Sequence, residues 1–288
     1  MQTQQRDLHI RESGPLDAPA IVFLHGVGCS GEMWRNHVAA LQDYRCIAPD
    51  LPGHGRSRHL EWKSRQDAAA RVARLIEHLP TRSAHLVGLS LGGSVAFELL
   101  ASRSDLLDHV VIDGCAAVGS RWAGPAKVAF AAISPFVRHA AIGRLMAAAV
   151  GVTDPTGIAA MVEQMGQVDP ASFRRAFADA QEVRIGKGML RAACPTLLVS
   201  GEKELAAMHT SSRLLADRMA RAEARVMPGL GHGWLGSHPD LHVRMVRAWI
   251  EGLPLPEELV SEPSGTDTLM EDARAWQRVE AGISSRAA

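Results

Sequence analysis

The 288-residue chain lacks an excess of charge of either sign: 31 Lys and Arg stand against 31 Asp and Glu. A chain so balanced has no basic field to hold a nucleic-acid backbone, so nucleic acid is not an expected partner. Cysteine is sparse and scattered. Cys29, Cys46, Cys115 and Cys194 form no C-x-x-C pair, and no His/Cys cluster has ligand spacing, so neither a metal nor another cofactor is expected. The opening residues, MQTQQRDLHIRESG, have no apolar core of the kind an export signal needs. Together with thiols read as reduced, this points to a cytoplasmic protein. Long apolar runs are missing as well. The longest apolar stretch, residues 128–150, is cut by Pro135, Arg138, His139 and Arg144, which is too interrupted for stable insertion into a membrane.

What the chain does have is apolar residues in short runs. Hydrophobic residues make up 47% of it, enough for a sizeable core in one large domain or in a core with an insertion. Runs at 21–24, 46–48, 85–89, 109–112, 196–200 and 224–227 are each bounded by turn signals and read as buried strands. Helical patterns lie between them: Val72, Leu75, Ile76 and Leu79 fall on one face, as do Val95, Ala96, Leu99 and Leu100. Strands alternating with helices imply an α/β fold, a doubly wound and mostly parallel sheet.

The alternation breaks at residues 120–188, where strand-like runs vanish and an Ala- and Met-rich helical pattern begins, punctuated by prolines. Asp169-Pro170 there reads as an N-cap followed by proline at the first helical position. The expected organisation is therefore a core of residues 1–119 and 189–252, a helical lid insertion at 120–188, and a polar tail at 253–288 with a short helix near 269–279.

In an open parallel sheet, ligands meet the carboxyl ends of the strands. Beyond the successive strand ends stand His25-Gly26-Val27-Gly28, then Asp50 to Gly55, then Ser90, Asp113, Gly201 to Glu204, and Gly231-His232-Gly233. One sheet edge thus carries a serine, histidines and several carboxylates. Gly88-Leu89-Ser90-Leu91-Gly92 fits the G-x-S-x-G nucleophile elbow in its strand–turn–helix context. The glycines answer a turn too tight for side chains, and the helix N-terminus beside the serine offers N–H groups to negative charge. Ser90 could instead merely cap a helix in a glycine-rich turn; His232 after the last strand, in the order this chemistry needs, favours the nucleophile.

"FLHGVG" (23–28), "APDLPGHGRS" (48–57), "GLSLGG" (88–93), "PTLLVSGEKE" (195–204) and "GLGHGW" (229–234) resemble the α/β-hydrolase superfamily, over residues 8–249. The resemblance implies Ser90 as nucleophile, His232 as general base, and the N–H groups of Val27 and Leu91 as oxyanion hole. It implies structural roles for His25 and His54, and Asp50 is expected to order its turn. Two features depart from the family. Residues 8–12 leave room for only a short first strand, or none. The triad acid, commonly an Asp three residues after the glycine ending its strand, is matched here by Glu204; Asp113, after the strand that follows the elbow, occupies an alternative acid position. Glu204 is the expected acid and Asp113 the alternative.

The expected reaction is hydrolysis of a carboxylic ester or lactone through a Ser90 acyl-enzyme. C–C bond hydrolases, perhydrolases and acyltransferases share the same residues. The insertion supplies Trp122, Phe130, Ile133, Phe136, Met146, Met161, Met165, Phe173 and Phe177, which imply an apolar roof and a small apolar substrate. Two rival classes remain. A catalytically silent binding module would have lost its nucleophile or base, and neither is lost. Gly26-Val27-Gly28-Cys29-Ser30-Gly31 with Asp50 mimics a dinucleotide fingerprint. Against that reading, His25 precedes the first glycine, Glu32, Met33 and Trp34 crowd the helix start, and Ser90 and His232 are left without a role.

Overall fold

The computed structural model describes residues 7–262, 274, 276–281 and 283. Eight strands form one sheet: β1 (Ile10–Ser13), β2 (Ala20–Leu24), β3 (Arg45–Pro49), β4 (Ala84–Leu89), β5 (Leu107–Asp113), β6 (Thr196–Gly201), β7 (Ala222–Met227) and β8 (Val260–Ser261). Their spatial order is β1-β3-β2-β4-β5-β6-β7-β8. β1 and β8 pair antiparallel at the two edges, and every other pairing is parallel.

β2, β4 and β6 are buried along their whole length, because helices cover both faces of the sheet. Alternate side chains go to opposite faces. Val22, Leu24, Leu86, Ile112 and Leu198 pack with Val72 and Ile76 of α2 (Arg65–Glu77) and Val95 and Leu99 of α3 (Leu91–Ser102). Ile21, Phe23, Val87, Val111 and Leu197 pack on the other face with Trp34, just before α1 (Arg35–Ala40), and with residues near the end of the described chain.

Between β5 and β6 run α4 (Ala123–Ile133), α5 (Ala140–Ala149), α6 (Pro155–Gly166), α7 (Pro170–Ala180) and α8 (Lys187–Leu190). The Asp169 carboxylate accepts the Ser172 N–H at 2.8 Å with Pro170 in the first turn of α7, and Asp154 caps α6 in the same way. After β6 come α9 (Ala206–Arg218), α10 (Trp234–Ser237) and α11 (Pro239–Glu251), the last supplying Leu241, Met245 and Val246 to the second core.

The first strand is short, as residues 8–12 lead one to expect. One element departs from expectation: β8 draws part of the polar tail onto the sheet. Of the expected helix at 269–279, residues 274 and 276–279 are helical; 269–273 and 275 lie outside the described residues. The register then sets the site. Leu24 lies beside Gly88, Leu89 beside Asp113, and Asp113 beside Val199, so the carboxyl ends of four strands finish level and their loops share one edge.

Candidate active site

Ser90 stands where β4 turns into α3. A Cβ on Gly88 would lie 2.6 Å from the Gly92 carbonyl oxygen, and one on Gly92 would lie 2.1 Å from the Leu24 carbonyl oxygen. The elbow therefore closes only with glycine at both places. Ser90 itself takes φ +54°, ψ −108°, a conformation that costs a non-glycine residue about 1–3 kcal/mol. Its N–H donates to the Asp113 carbonyl at 2.9 Å, and its carbonyl accepts from Ser94 N–H at 2.9 Å. Those two bonds pin the turn, and Leu91 N–H follows in the first turn of α3, where a helix has no internal acceptor to offer.

Glu204, on the loop after β6, meets His232, on the loop after β7. Oε1 of Glu204 accepts the Gly201 N–H at 3.1 Å, and Oε2 lies 3.2 Å from His232 Nδ1. The carboxylate is almost fully enclosed while the imidazole is partly open. Burial alone would lower the His232 pKa; the hydrogen bond to Glu204 and the charge of that carboxylate outweigh it and raise the value above 6.5. The pair lies over Gly114, whose φ is +58°: a Cβ there would fall 2.7 Å from the His232 ring and 3.2 Å from Glu204 Oε1. Gly114 was not singled out in the sequence; its one signal is a glycine directly after a strand end. Ser90 and His232 line the same cavity, although no hydrogen bond joins them among the described residues. Such contacts are often long until substrate arrives.

Asp113 goes elsewhere. It is fully buried, and its Oδ2 lies 3.5 Å from Nε2 of His242 on α11. Nδ1 of His242 is in turn 2.9 Å from Nε2 of the buried His37. Burial, with the Glu204 charge second, pushes the Asp113 carboxyl well above its usual range. Burial also lowers His242 to about 3, so this histidine is neutral. The structure thus brings Glu204 to His232 and Asp113 to a different histidine.

The cavity beside Ser90 encloses about 190 Å³. Val27, Leu89, Met146, Val150, Met161 and Leu235 make its walls apolar, and Gln164, Asp154, Arg35 and Asn36 add polar groups. A second pocket that Ser90 borders, of about 50 Å³, is lined by Gly114, Cys115, Val118 and Met208. Of the apolar residues expected to form a roof, Met146 and Met161 reach the larger cavity. Met165 and Phe173 form a small core with Val137 and Val168, and Phe130 stacks on Phe173 and Phe177. Ile133 packs beside that core, whereas Trp122 and Phe136 face solvent.

The remaining polar residues are committed to holding loops. His25 Nε2 accepts the Leu51 N–H at 2.9 Å, and His54 Nδ1 lies 2.9 Å from the Pro52 carbonyl. Burial lowers these histidines to about 4 and about 3. Asp50 accepts N–H groups from Gly31 and Arg56, each at 2.8 Å. This disposes of the dinucleotide resemblance physically. Three N–H groups of the glycine loop are spent, with Cys29 on Gly26, Ser30 on Gln164 and Gly31 on Asp50, and none of these three is left for a pyrophosphate. Burial raises the Cys29 thiol to about 12, which leaves it unreactive.

Comparison with known proteins agrees with this architecture. A model of the alpha/beta hydrolase family matches residues 21–244. The magnesium-chelatase 30 kDa subunit of Rhodobacter capsulatus is 29% identical over 266 residues, 85% of this chain and 92% of that protein. The 3-oxoadipate enol-lactonase 1 of Acinetobacter baylyi is 37% identical over 97 residues, which cover only 33% of this chain and 36% of that enzyme. Among solved structures, a thermophilic esterase from Thermogutta terrifontis superposes with a TM-score of 0.72 at 22% identity, over 85% of this chain and 93% of its own. The chain belongs to the alpha/beta hydrolase family.

Proposed function

We propose that the chain is a serine hydrolase that cleaves a carboxylic ester or lactone of a small apolar molecule. The observation that carries this reading is the Glu204–His232 pair beside Ser90 at an apolar cavity of about 190 Å³. In the proposed cycle Ser90 Oγ attacks the carbonyl carbon while His232 Nε2 takes its proton. Glu204 holds the imidazole in the accepting tautomer and stabilises the imidazolium that forms. The N–H groups of Val27 and Leu91 receive the oxyanion. Collapse expels the alcohol, protonated by His232, and leaves an acyl-enzyme; water, activated by the same histidine, releases the acid and frees Ser90.

Helices α4–α7, within residues 120–188, act as the lid over a core of 1–119 and 189–252. The larger cavity takes the apolar portion of the substrate, and the 50 Å³ pocket takes a smaller portion. The enol-lactonase and esterase among the similar proteins point the same way. Labelling with a fluorophosphonate tests the reading: the intact chain should label at Ser90, and Ser90→Ala should lose both labelling and turnover of short p-nitrophenyl esters. Unchanged turnover in that variant would overturn it.

A second reading rests on the match that runs nearly the full length of both chains. The similarity to a magnesium-chelatase 30 kDa subunit would make this chain a subunit of such an assembly. A chain acting only in that way would leave Ser90 unlabelled, so the same experiment separates the two.

A further inference from the structure

Helix α4 has Lys127 as its sole charged residue, yet none of its residues is buried. A helix so apolar is ordinarily covered. Its exposed residues Gly124, Val128 and Ala132, followed by Phe136 in the next turn, recur at four-residue spacing, which keeps them on one side of the helix. Helix α5 likewise exposes Ala141, Leu145 and Ala149. The large side chains are well exposed: Trp122 54%, Val128 71%, Phe136 63% and Leu145 55%.

The charge around these strips has one sign. Residues 114–153 contain Arg121, Lys127, Arg138 and Arg144 and no Asp or Glu, in a chain whose overall charge is zero. The acidic residues of the following helices are largely engaged. Asp154 and Asp169 cap α6 and α7, Asp179 pairs with Arg65, and Glu182 pairs with Lys127 at 2.6 Å. Arg121, Arg138 and Arg144 remain exposed, with Arg121 lying 5.3 Å over the Trp122 ring.

From this combination we propose that the outer strips of α4 and α5 dock on an anionic lipid bilayer. Trp, Phe and Leu would enter the boundary between headgroups and acyl chains while arginines meet the lipid charges. This is docking and not spanning, for no described helix is long and apolar enough to cross a membrane. A rim of exposed arginines on a segment, residues 114–153, that contains no Asp or Glu fits a uniformly negative sheet of headgroups better than a protein partner, whose surface mixes both signs. Helix α5 exposes Leu145 and lines the cavity with Met146, so the docked face lies on the helix that also walls the site. The docking is independent of the catalytic reading.

Vesicle co-sedimentation of the full chain tests it, comparing phosphatidylcholine alone with phosphatidylcholine containing a quarter phosphatidylserine. Binding should occur only on the anionic vesicles and weaken between 50 and 500 mM salt as the screening length shortens. Arg121→Ala with Arg144→Ala should weaken it by about 25-fold, roughly five-fold for each charge. Val128→Asp with Phe136→Asp should abolish it while keeping the circular dichroism and short-ester turnover of the parent. Ser90→Ala should bind as the parent does, which keeps this test apart from that of catalysis. Absence of binding, equal binding to neutral vesicles, or a dimer in solution that the two aspartates dissolve would each overturn the proposal.

Discussion

Two carboxylate–histidine pairs lie within one region of the molecule, and they differ in nearly everything except residue type. Glu204 and His232 sit on loops beyond the strand ends, 3.2 Å apart, with the imidazole partly open to the cavity. Asp113 and His242 sit in the interior, 3.5 Å apart and fully enclosed. In the first pair the carboxylate is held by a backbone N–H and raises its histidine. In the second, burial drives both partners toward their neutral forms. The contrast teaches that a carboxylate near a histidine is a base-supporting pair only where solvent or backbone donors sustain the charge.

Removing Glu204's charge should have the largest effect on the comparison. Glu204→Gln should cost on the order of 10⁴ in kcat with the fold intact. It should also move the acid limb of kcat/KM. His232 accepts a proton only when neutral, so activity in the parent falls as pH drops through its raised pKa, above 6.5. Without the glutamate charge, burial is the dominant influence and the midpoint should move below that of the parent. A pH–rate profile that stays in place would assign the raising to another group. Gly114→Ala attacks the same pair from below. Its Cβ would fall 2.7 Å from the imidazole, so the ring must shift, and a displacement of about 1 Å costs on the order of 10² in rate. Single-turnover kinetics on a short ester would measure it; an unimpaired Gly114→Ala would show that the pair tolerates displacement.

The sequence made the first pair partly legible and the second hardly at all, for physical reasons. Buried parallel strands are continuous apolar runs, so the six inner strands could be read directly, and the elbow is a local motif confined to five residues. β1 and β8 are edge strands with exposed residues and carry no such run. Glu204 and Asp113 could not be separated by position in the chain, because the difference between them is which histidine each meets. His242 reads as an ordinary residue of α11, and its contact with His37 spans 205 positions. The roof residues illustrate the same limit. All nine are apolar, yet Met146 and Met161 turn to the cavity while Trp122 and Phe136 turn outward.

The smallest effect on activity should come from Asp113, where the comparison sharpens on stability. Asp113→Asn should keep kcat within about ten-fold of the parent, because the proposed base has its partner in Glu204. Stability is the more telling readout. A carboxyl whose folded pKa lies above its ordinary value of 3.8 favours the folded state fully below that value, and the contribution is lost as pH rises through the folded pKa. The asparagine variant has nothing to ionise and escapes that loss. The denaturation midpoint of Asp113→Asn relative to the parent should therefore rise from pH 4 to pH 8. A difference independent of pH would mean that Asp113 does not titrate above 3.8. A relative fall would mean that it is held charged in the folded chain, and the two carboxylate–histidine pairs would then be alike.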